Sequence, residues 1–473
     1  MLMKAENKNF MYNIIYQLFL YIVPLILTPY ISRVLGANNI GIYSYTYSIV
    51  YYFMLFTMLG INNYGSRNIA KLSKNKEEYS KKFWSIYSLQ LILGMFMFLL
   101  YNLFHIFIIK KYSLIFIINN FFLLSAIFDI NWFYFGLEKF KITIVRNTII
   151  KVCSLFCVFT LVKTNLDLWK YTLIMSLSTL ISQLYLFFIL HKYVYFRKVS
   201  KAEIFSNLKE CMVLFIPVLA YSIYRVMDKT MIGTFSSTLE LGYYENAEKI
   251  INIPVSLITA LGTVMLPHMS KIEKKNRLEI KKEINASIKL CMCFVVPIVV
   301  GLLIVGKDFA IVYFGQEFEK SGIIIMLLSF TILFSGVANV IRTNYLIPFE
   351  LDKIYVTSTI LGAIMNLIAN IIFIPKYGSL GACIGTILAE FMVMFYQFVK
   401  VKNDVDSKYI IKCIVNYICK SIFIVIPLIA VKLLISNLIL RIIIQVVISV
   451  IIYFAINYNY IIYEFLGVKK NDK

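Results

Sequence analysis

The chain has 473 residues, of which 60% are hydrophobic and 15% are charged, and its formal net charge is +22. Soluble domains are about half apolar and about a quarter charged. A single core of this length cannot bury so much apolar side chain, so the bilayer must act as solvent. The composition excludes an ordinary soluble protein and indicates an all-α polytopic membrane protein.

The apolar runs predict about fourteen transmembrane helices, since a helix needs about 20 apolar residues to cross a bilayer. The first run follows the stretch MLMKAENKNF, which is too polar for a cleaved signal peptide. In chain order, the predicted spans are 12–32, 40–60, 84–109, 112–137, 142–162, 170–190, 211–234, 249–267, 288–306, 323–347, 355–375, 379–399, 410–432 and 437–459.

The positive charge falls in short clusters between these spans. Connections on the side of the N-terminus carry roughly 28 Lys and Arg, against roughly 8 on the opposite side. This bias predicts that both termini are cytoplasmic. Such clusters set topology and contact lipid headgroups, which argues against nucleic acid as a partner.

An internal repeat divides the chain. The segment ANNIGIYSYTYSI (37–49) is echoed by TLELGYYENAEKI (238–250) and by KYGSLGACIGTIL (376–388), and each places an apolar-Gly pair before a new helix. Any short helix connection could look similar, but the echoes recur at equivalent places. We predict two pseudo-symmetric six-helix lobes, 1–200 and 201–402, followed by two additional helices and a tail, 403–473. Repeated halves around a central site are typical of transporters.

Three charges in the seventh span, Arg225, Asp228 and Lys229, lie between the apolar stretches CMVLFIPVLAYSIY and MIGTF. Their spacings of three and four place them on one helix face. Intramembrane charges usually face a bundle interior or an aqueous cavity. Asp228 can pair with Arg225, which leaves one positive charge over. The segment predicts an anion site or a coupling ion pair, although side chains near a helix end can also extend to the interface.

Further cations favour the anion site. Arg146 and Arg342 lie within the fifth and tenth spans, Arg33 ends the first and Arg67 follows the second. The guanidinium group donates two parallel hydrogen bonds to a phosphate. Arg33 and Arg67 could equally be interfacial anchors.

The embedded acids are Asp129, Asp228 and Glu390, and any of them could carry a coupling proton. The pair Asn366 and Asn370 favours an interhelical hydrogen bond. Tyr43, Tyr47 and Tyr51 form a stripe at helical spacing that favours packing or an interfacial belt, with a sugar-stacking cavity as the alternative.

Nucleotide, metal and cofactor sites are not predicted. GLLIVGKD (301–308) lacks the Ser or Thr of a phosphate loop and follows no strand. The eight cysteines form no C-x-x-C pair and the three histidines lie far apart, which argues against a metal centre or disulfides. The outer loops are short and poor in catalytic groups, so we expect no enzyme.

Seven fragments in order resemble the Wzx-type oligosaccharide flippases, of the polysaccharide transport family in the multidrug/oligosaccharidyl-lipid/polysaccharide exporter superfamily. They are TPYISRVLGANNIGIYSYTYS, GINNYGSRNIAK, FDINWFYFGLEKFKI, DKTMIG, LPHMSK, RTNYLIP and IPKYGSLGA.

The resemblance implies two six-helix lobes in a V around a cationic cavity. It implies a substrate of undecaprenyl-diphosphate carrying a sugar repeat unit, which moves to the outer leaflet for capsule or O-antigen assembly. Membrane lipids and other polysaccharide assembly proteins would be the partners. The resemblance assigns substrate binding in this cavity to a set of cations: Arg33, Arg67, Arg146, Arg225, Lys229 and Arg342.

Three alternatives stay open. A lipid II or other polyprenyl-lipid flippase would share this chemistry. A drug/cation antiporter would need an anionic cavity, which the excess of Arg and Lys disfavours. A membrane polysaccharide polymerase or ligase would change the length of the sugar chain.

Overall fold

The computed structural model describes residues 2–108, 111–272, 276–402 and 405–458, and the described residues form helices and their connecting segments, without strands. The all-α prediction is confirmed. In chain order the helices are α1 (Leu2–Met58), α2 (Ile61–Leu72), α3 (Lys76–Phe107), α4 (Ser113–Ile127), α5 (Asn131–Gly136), α6 (Phe140–Leu161), α7 (Leu168–Ile189), α8 (Lys201–Phe235), α9 (Thr238–Met269), α10 (Arg277–Phe314), α11 (Glu319–Ile341), α12 (Asp352–Tyr377), α13 (Ser379–Val401), α14 (Ser407–Leu434) and α15 (Leu438–Ile456).

Every predicted span overlaps one of these helices. The first two share α1, which breaks at Gly36, where φ is 76° and ψ is 169°. Glycine adopts this positive φ without the steric cost of a Cβ atom. Within the described ranges, eleven segments are long and apolar enough to cross a membrane. Helices α8 and α9, of 35 and 32 residues, lie outside that set, so spans 211–234 and 249–267 stay predictions.

The chain forms two compact units, Met1–Gly233 and Thr234–Lys473. Helix α8 packs with the first unit, because its N-terminal turns form ion pairs with α2 and α3. Arg67 pairs with Glu210, with a distance of 3.3 Å from Nη2 to Oε2, and Lys81 pairs with Glu203. The division between the two units therefore follows the contacts of α8. The repeat boundaries that the sequence predicts, at 200 and 402, stay a prediction.

Equivalent contacts occur inside the two units. In the first, Asn39 Nδ2 donates to the carbonyl of Asn165 at 2.7 Å, which joins the echo at 37–49 to the start of the sixth span. In the second, Glu240 Oε2 accepts from the backbone N–H of Ser379 at 3.1 Å, which joins the echo at 238–250 to the start of the twelfth. The two contacts lie at corresponding positions of the echoes, and the repeat itself stays a prediction.

A core of aromatic side chains surrounds α5, next to the break between α4 and α5. Trp132, Phe133 and Tyr134 are fully buried, and Trp132 stacks against Phe83 with ring centroids 5.4 Å apart. A Cβ atom on Gly65 would lie 2.4 Å from Trp132 Cε3, so only glycine allows α2 to pack this closely on α5. This core holds α5 at a fixed distance from α3.

In the second unit, α14 and α15 pack on α10. Tyr453 OH donates to the carbonyl of Cys293 at 2.7 Å, and Gln445 Nε2 donates to the carbonyl of Leu428 at 2.9 Å. Lys281 at the start of α10 lies 3.3 Å from Asp406, the N-cap residue of α14. These polar contacts fix both C-terminal helices along the length of α10.

Candidate functional site

The fourth predicted span is a broken helix. The chain leaves α4 after Ile127 and enters α5 at Asn131, and the break frees backbone carbonyls inside an apolar region. Gln90 from α3 satisfies them: its Nε2 donates to the carbonyls of Ala126, Ile127 and Asp129 at 2.9, 3.2 and 2.9 Å. Discontinuous helices of this kind often build transporter sites.

Arg146 of α6 reaches this break and is only 4% exposed. Its Nη2 donates to Asn131 Oδ1 at 3.0 Å and to Asn147 Oδ1 at 2.7 Å. Its Nη1 donates to the carbonyl of Ser182 at 2.8 Å and lies 3.4 Å from Gln183 Oε1. These four acceptors are neutral oxygens from α5, α6 and α7, so the guanidinium is oriented by dipoles in a buried site.

Asp129 lies in the same polar centre, within the break itself. Its Oδ1 accepts from the backbone N–H of Asn131 at 3.0 Å and from Asn131 Nδ2 at 2.7 Å. Asn131 therefore bridges the carboxylate of Asp129 and the guanidinium of Arg146. The structure brings together one predicted cation and one predicted acid, and their roles in binding and coupling stay predictions.

The charges of α8 lie on a continuous helix, as their spacing requires, but they differ in exposure. Asp228 is 4% exposed and Lys229 is half-buried, whereas Arg225 is exposed. The same stretch of α8 lies against the second half of α1, where Thr230 Oγ1 donates to Ser48 Oγ at 3.0 Å. This contact fixes the register of α8 against α1.

The tyrosine stripe of α1 makes packing contacts within the first unit. The ring of Tyr43 lies 4.9 Å from that of Tyr171 on α7, and the ring of Tyr47 lies 5.0 Å from that of Phe122 on α4. Tyr51 OH lies 3.4 Å from Ser222 Oγ of α8. These edge contacts between rings favour the packing interpretation over a sugar-stacking surface.

The remaining candidate residues do not gather at the α4–α5 break. Arg33 and Arg67 are exposed, and Arg67 pairs with Glu210. Arg342 opens a π-helical turn, Arg342–Leu346, where it donates to Asn339 and lies 5.6 Å from the ring centroid of Tyr355. Glu390 on α13 is half-buried. Their roles in substrate binding and ion coupling stay predictions.

The predicted amide pair lies at a close helix contact. Asn370 Nδ2 donates to Asn366 Oδ1 at 3.1 Å within α12. Both side chains are fully buried, and a Cβ atom on Gly385 of α13 would lie 2.2 Å from Asn370 Oδ1. The amides thus lie where α12 meets α13.

Sequence reasoning missed one buried ion pair. Arg441 Nη1 of α15 lies 3.3 Å from Asp308 Oδ2 of α10, and the side chains are 13% and 9% exposed. Asp308 is the residue that breaks the false phosphate-loop pattern. Charges inside apolar runs are rare and usually have a partner, and on this ground both residues could have been selected.

It also missed the neutral members of the polar centre. Gln90 and Gln183 are single amides in the otherwise apolar runs SLQLILGMF and LISQLYLFF. A lone amide in a membrane helix generally finds a hydrogen-bond partner on another helix. That rule could have flagged both residues, but only the fold shows that they meet at Asn131 and Asp129.

Comparisons with known proteins agree with this architecture. The family described as polysaccharide biosynthesis protein matches residues 7–273, more than half of the chain. A protein of Shigella dysenteriae, provisionally named O-antigen transporter, is 24% identical over 386 residues, which cover 81% of this chain and 96% of that protein.

A protein of the same provisional name from Escherichia coli (strain K12) is 21% identical over 407 residues, covering 84% of this chain and 97% of that one. The solved structure of lipid II flippase MurJ, in an inward closed conformation, superimposes with a TM-score of 0.78 at 18% identity, covering 97% of this chain and all of that one. It shows a shared fold. The chain belongs to the polysaccharide biosynthesis protein family, and the resemblance to Wzx-type oligosaccharide flippases that its sequence predicts is confirmed.

Proposed function

We propose that this multi-pass membrane protein is a flippase for oligosaccharide repeat units linked to undecaprenyl-diphosphate. It moves them from the inner to the outer leaflet for capsule, O-antigen or related surface polysaccharide assembly. The observation that carries the proposal is the similarity to provisionally named O-antigen transporters over 81% and 84% of this chain. It works by transport and makes or breaks no covalent bond of its cargo.

The charge pattern supports a diphosphate as the recognised group. Five of the six candidate cations lie in or at the ends of the predicted spans, against three candidate embedded acids, Asp129, Asp228 and Glu390. Charges in a membrane interior are costly unless water, a partner or a ligand compensates them. A cationic site with few acids suits a doubly charged lipid headgroup and disfavours a cationic drug.

The proposed orientation places both termini in the cytoplasm of a bacterium, because the Lys- and Arg-rich connections lie on that side. The substrate then enters from the inner leaflet of the cytoplasmic membrane. Cations capture its diphosphate and sugars, while the prenyl chain stays in lipid. Alternating access then exposes the site to the outer leaflet, with Asp129, Asp228 or Glu390 as candidate coupling groups.

The test is depletion of the protein in its own host, followed by measurement of which leaflet holds the undecaprenyl-linked oligosaccharide. We expect it to accumulate on the cytoplasmic leaflet while surface polysaccharide is lost. If the lipid-linked unit still reaches the outer leaflet but stays unpolymerised, the protein acts after translocation and the proposal fails.

Transport of lipid II is the second candidate, because the fold is shared with a lipid II flippase over 97% of this chain. Expression of this chain in cells depleted of their own lipid II flippase separates the two. Restored growth would favour lipid II, whereas loss of surface polysaccharide alone on depletion favours the oligosaccharide substrate.

A further inference from the structure

The polar centre at the α4–α5 break holds a cation and an acid apart. Asn131 uses both ends of its amide: Nδ2 donates to Asp129 Oδ1 at 2.7 Å, and Oδ1 accepts from Arg146 Nη2 at 3.0 Å. We propose that Asp129 is a counter-charge that competes with the diphosphate of the substrate for Arg146, and that Asn131 is the spacer between them. This inference rests on the proposed function and assigns a regulatory role at the same site.

The position of the Asn131 spacer is fixed by the backbone at the start of α5. Asn131 is the first residue of α5, and its own N–H donates to Asp129 Oδ1 at 3.0 Å. Turning the amide would break its hydrogen bonds to Asp129 and Arg146. The Arg146 guanidinium is only 4% exposed, and an unmade hydrogen bond is costly at such a buried group. The Trp132 ring beside it is fully buried, and its Nε1 donates to Gln90 Oε1 at 3.1 Å, which holds this end of α5.

The negative charge of Asp129 is balanced by a cation that it does not contact directly. Its Oδ2 accepts no hydrogen bond from the described residues, and Asp129 makes no direct ion pair among them. The helices around it contribute Gln90 from α3, Asn131 from α5 and Gln183 from α7, all neutral amides, and Arg146 from α6 is the charged group that acts on it.

This arrangement suits reversible anion binding. If the two charges were in contact, a phosphate would have to break a desolvated ion pair before binding. An arginine with no nearby acid would be costly inside the membrane in the absence of substrate. With an amide between them, Asp129 stabilises Arg146 at a distance. An arriving diphosphate then exchanges neutral acceptors for charged ones, which form stronger hydrogen bonds.

The test measures binding of undecaprenyl diphosphate, without sugars, to the full-length protein in lipid nanodiscs. Asp129→Asn keeps an oxygen that accepts from Asn131 but removes the competing charge, so we expect binding about fivefold tighter. Arg146→Gln should weaken binding at least about tenfold. The double variant should bind like Arg146→Gln, because the effect of Asp129 passes through Arg146.

Asn131→Ala gives a second test of opposite sign. Without the spacer, Asp129 can close on Arg146, and we expect weaker binding than in the wild type. Glu77→Gln is the matched control, because it removes one negative charge at the exposed N-terminus of α3, where Glu77 pairs with Arg197. It should bind like the wild type. Thermal unfolding of each variant checks that the protein is folded.

The outcomes separate this inference from the proposed function. If Arg146→Gln loses binding while Asp129→Asn binds no tighter than the wild type, the counter-charge inference is overturned and the proposed function stands. If Asn131→Ala binds more tightly, the spacer role is overturned. If every variant binds like the wild type but depletion still traps oligosaccharide on the inner leaflet, the inference alone fails. Failure of the depletion test itself removes the proposed function.

Discussion

Two charge pairs in the described chain show opposite arrangements. Arg441 and Asp308 meet directly, 3.3 Å apart, between α15 and α10. Arg146 and Asp129 are bridged by the amide of Asn131. A direct buried pair is difficult to separate and suits a permanent contact between helices. A bridged pair leaves the cation able to exchange acceptors, which suits a binding site. The intramembrane charges therefore fall into two groups: those that stabilise the fold and those that we propose contact the substrate.

The cations of α8 provide the strongest test of this division. Replacing Arg225 and Lys229 with Ala removes positive charge that the proposed diphosphate site needs, so we expect export to fall by at least about thirtyfold with insertion and abundance unchanged. Surface polysaccharide, normalised to protein in the membrane, measures the effect. Lys198→Ala, on the exposed segment before α8, serves as the control. Wild-type export by a stably expressed double variant would remove α8 from the anion site.

Breaking the direct pair should affect stability instead. Asp308→Ala leaves Arg441 buried without its carboxylate, and we expect a loss of about 3–5 kcal/mol in the free energy of unfolding. Transport per folded molecule should be retained. Thermal and denaturant unfolding in detergent measure the change.

A paired replacement, Asp308→Leu with Arg441→Met, should recover most of the loss, because no charge is then left unpaired. Glu319→Ala breaks the exposed pair with Lys307, 2.7 Å apart, and should change stability by about 1 kcal/mol or less. Equal losses from Asp308→Ala and Glu319→Ala would mean that burial of the Arg441 pair has no structural role.

A smaller effect is expected where α2 supports the polar centre. A Cβ atom on Gly65 would lie 2.4 Å from Trp132 Cε3, so Gly65→Ala should destabilise the protein by about 1–3 kcal/mol. Gly301→Ala is the matched control, because a Cβ atom there meets nothing within 4 Å and alanine favours a helix by about 1 kcal/mol. Similar melting temperatures for the two variants would show that α2 adapts to the added methyl group.

The smallest effect concerns pH and the N-terminal turns of α8. The Lys81 ammonium and the backbone N–H of Ser200 lower the pKa of Glu203 from 4.5 to about 2. Because the pKa of Glu203 is lower in the folded state than in the unfolded state, its carboxylate stabilises the fold at pH values above the unfolded pKa of 4.5. This stabilisation is lost as the pH falls toward 2. The protection factors of the amides of residues 201–210, which are corrected for the intrinsic pH dependence of exchange, should therefore be constant from pH 8 to pH 5 and fall below about pH 4. In Glu203→Gln this acid-dependent loss of protection should be absent, and its persistence would assign the transition to another group.

Much of the architecture could be predicted from apolar run length alone. A helix that satisfies its own backbone hydrogen bonds is the simplest solution in lipid, so each predicted span overlaps a helix. The break after Ile127 could not be predicted in the same way. Its freed carbonyls are satisfied by Gln90, 36 residues earlier in the chain, and hydropathy carries no information on such a partner.

The site was predicted in part for the same reason. Single charges in apolar runs selected Arg146 and Asp129 as candidates, because charge in a membrane interior is rare. The pattern could not show that Asn131 joins them, since Asn131 lies outside any charged cluster. It also missed Asp308 and Arg441, which are distant in sequence and meet only because α15 packs on α10.

Sequence by itself determined the class, the helices and the family of this protein, since hydropathy, charge bias and ordered motifs are properties of the chain read locally. Tertiary structure decided which charges meet, which are bridged by an amide and which stay exposed. It also placed α8 with the first unit, through Glu203, Glu210 and the segment beside them. The physical reason is that an intramembrane charge depends on the partner at its own depth, and helix packing brings that partner from a remote part of the chain.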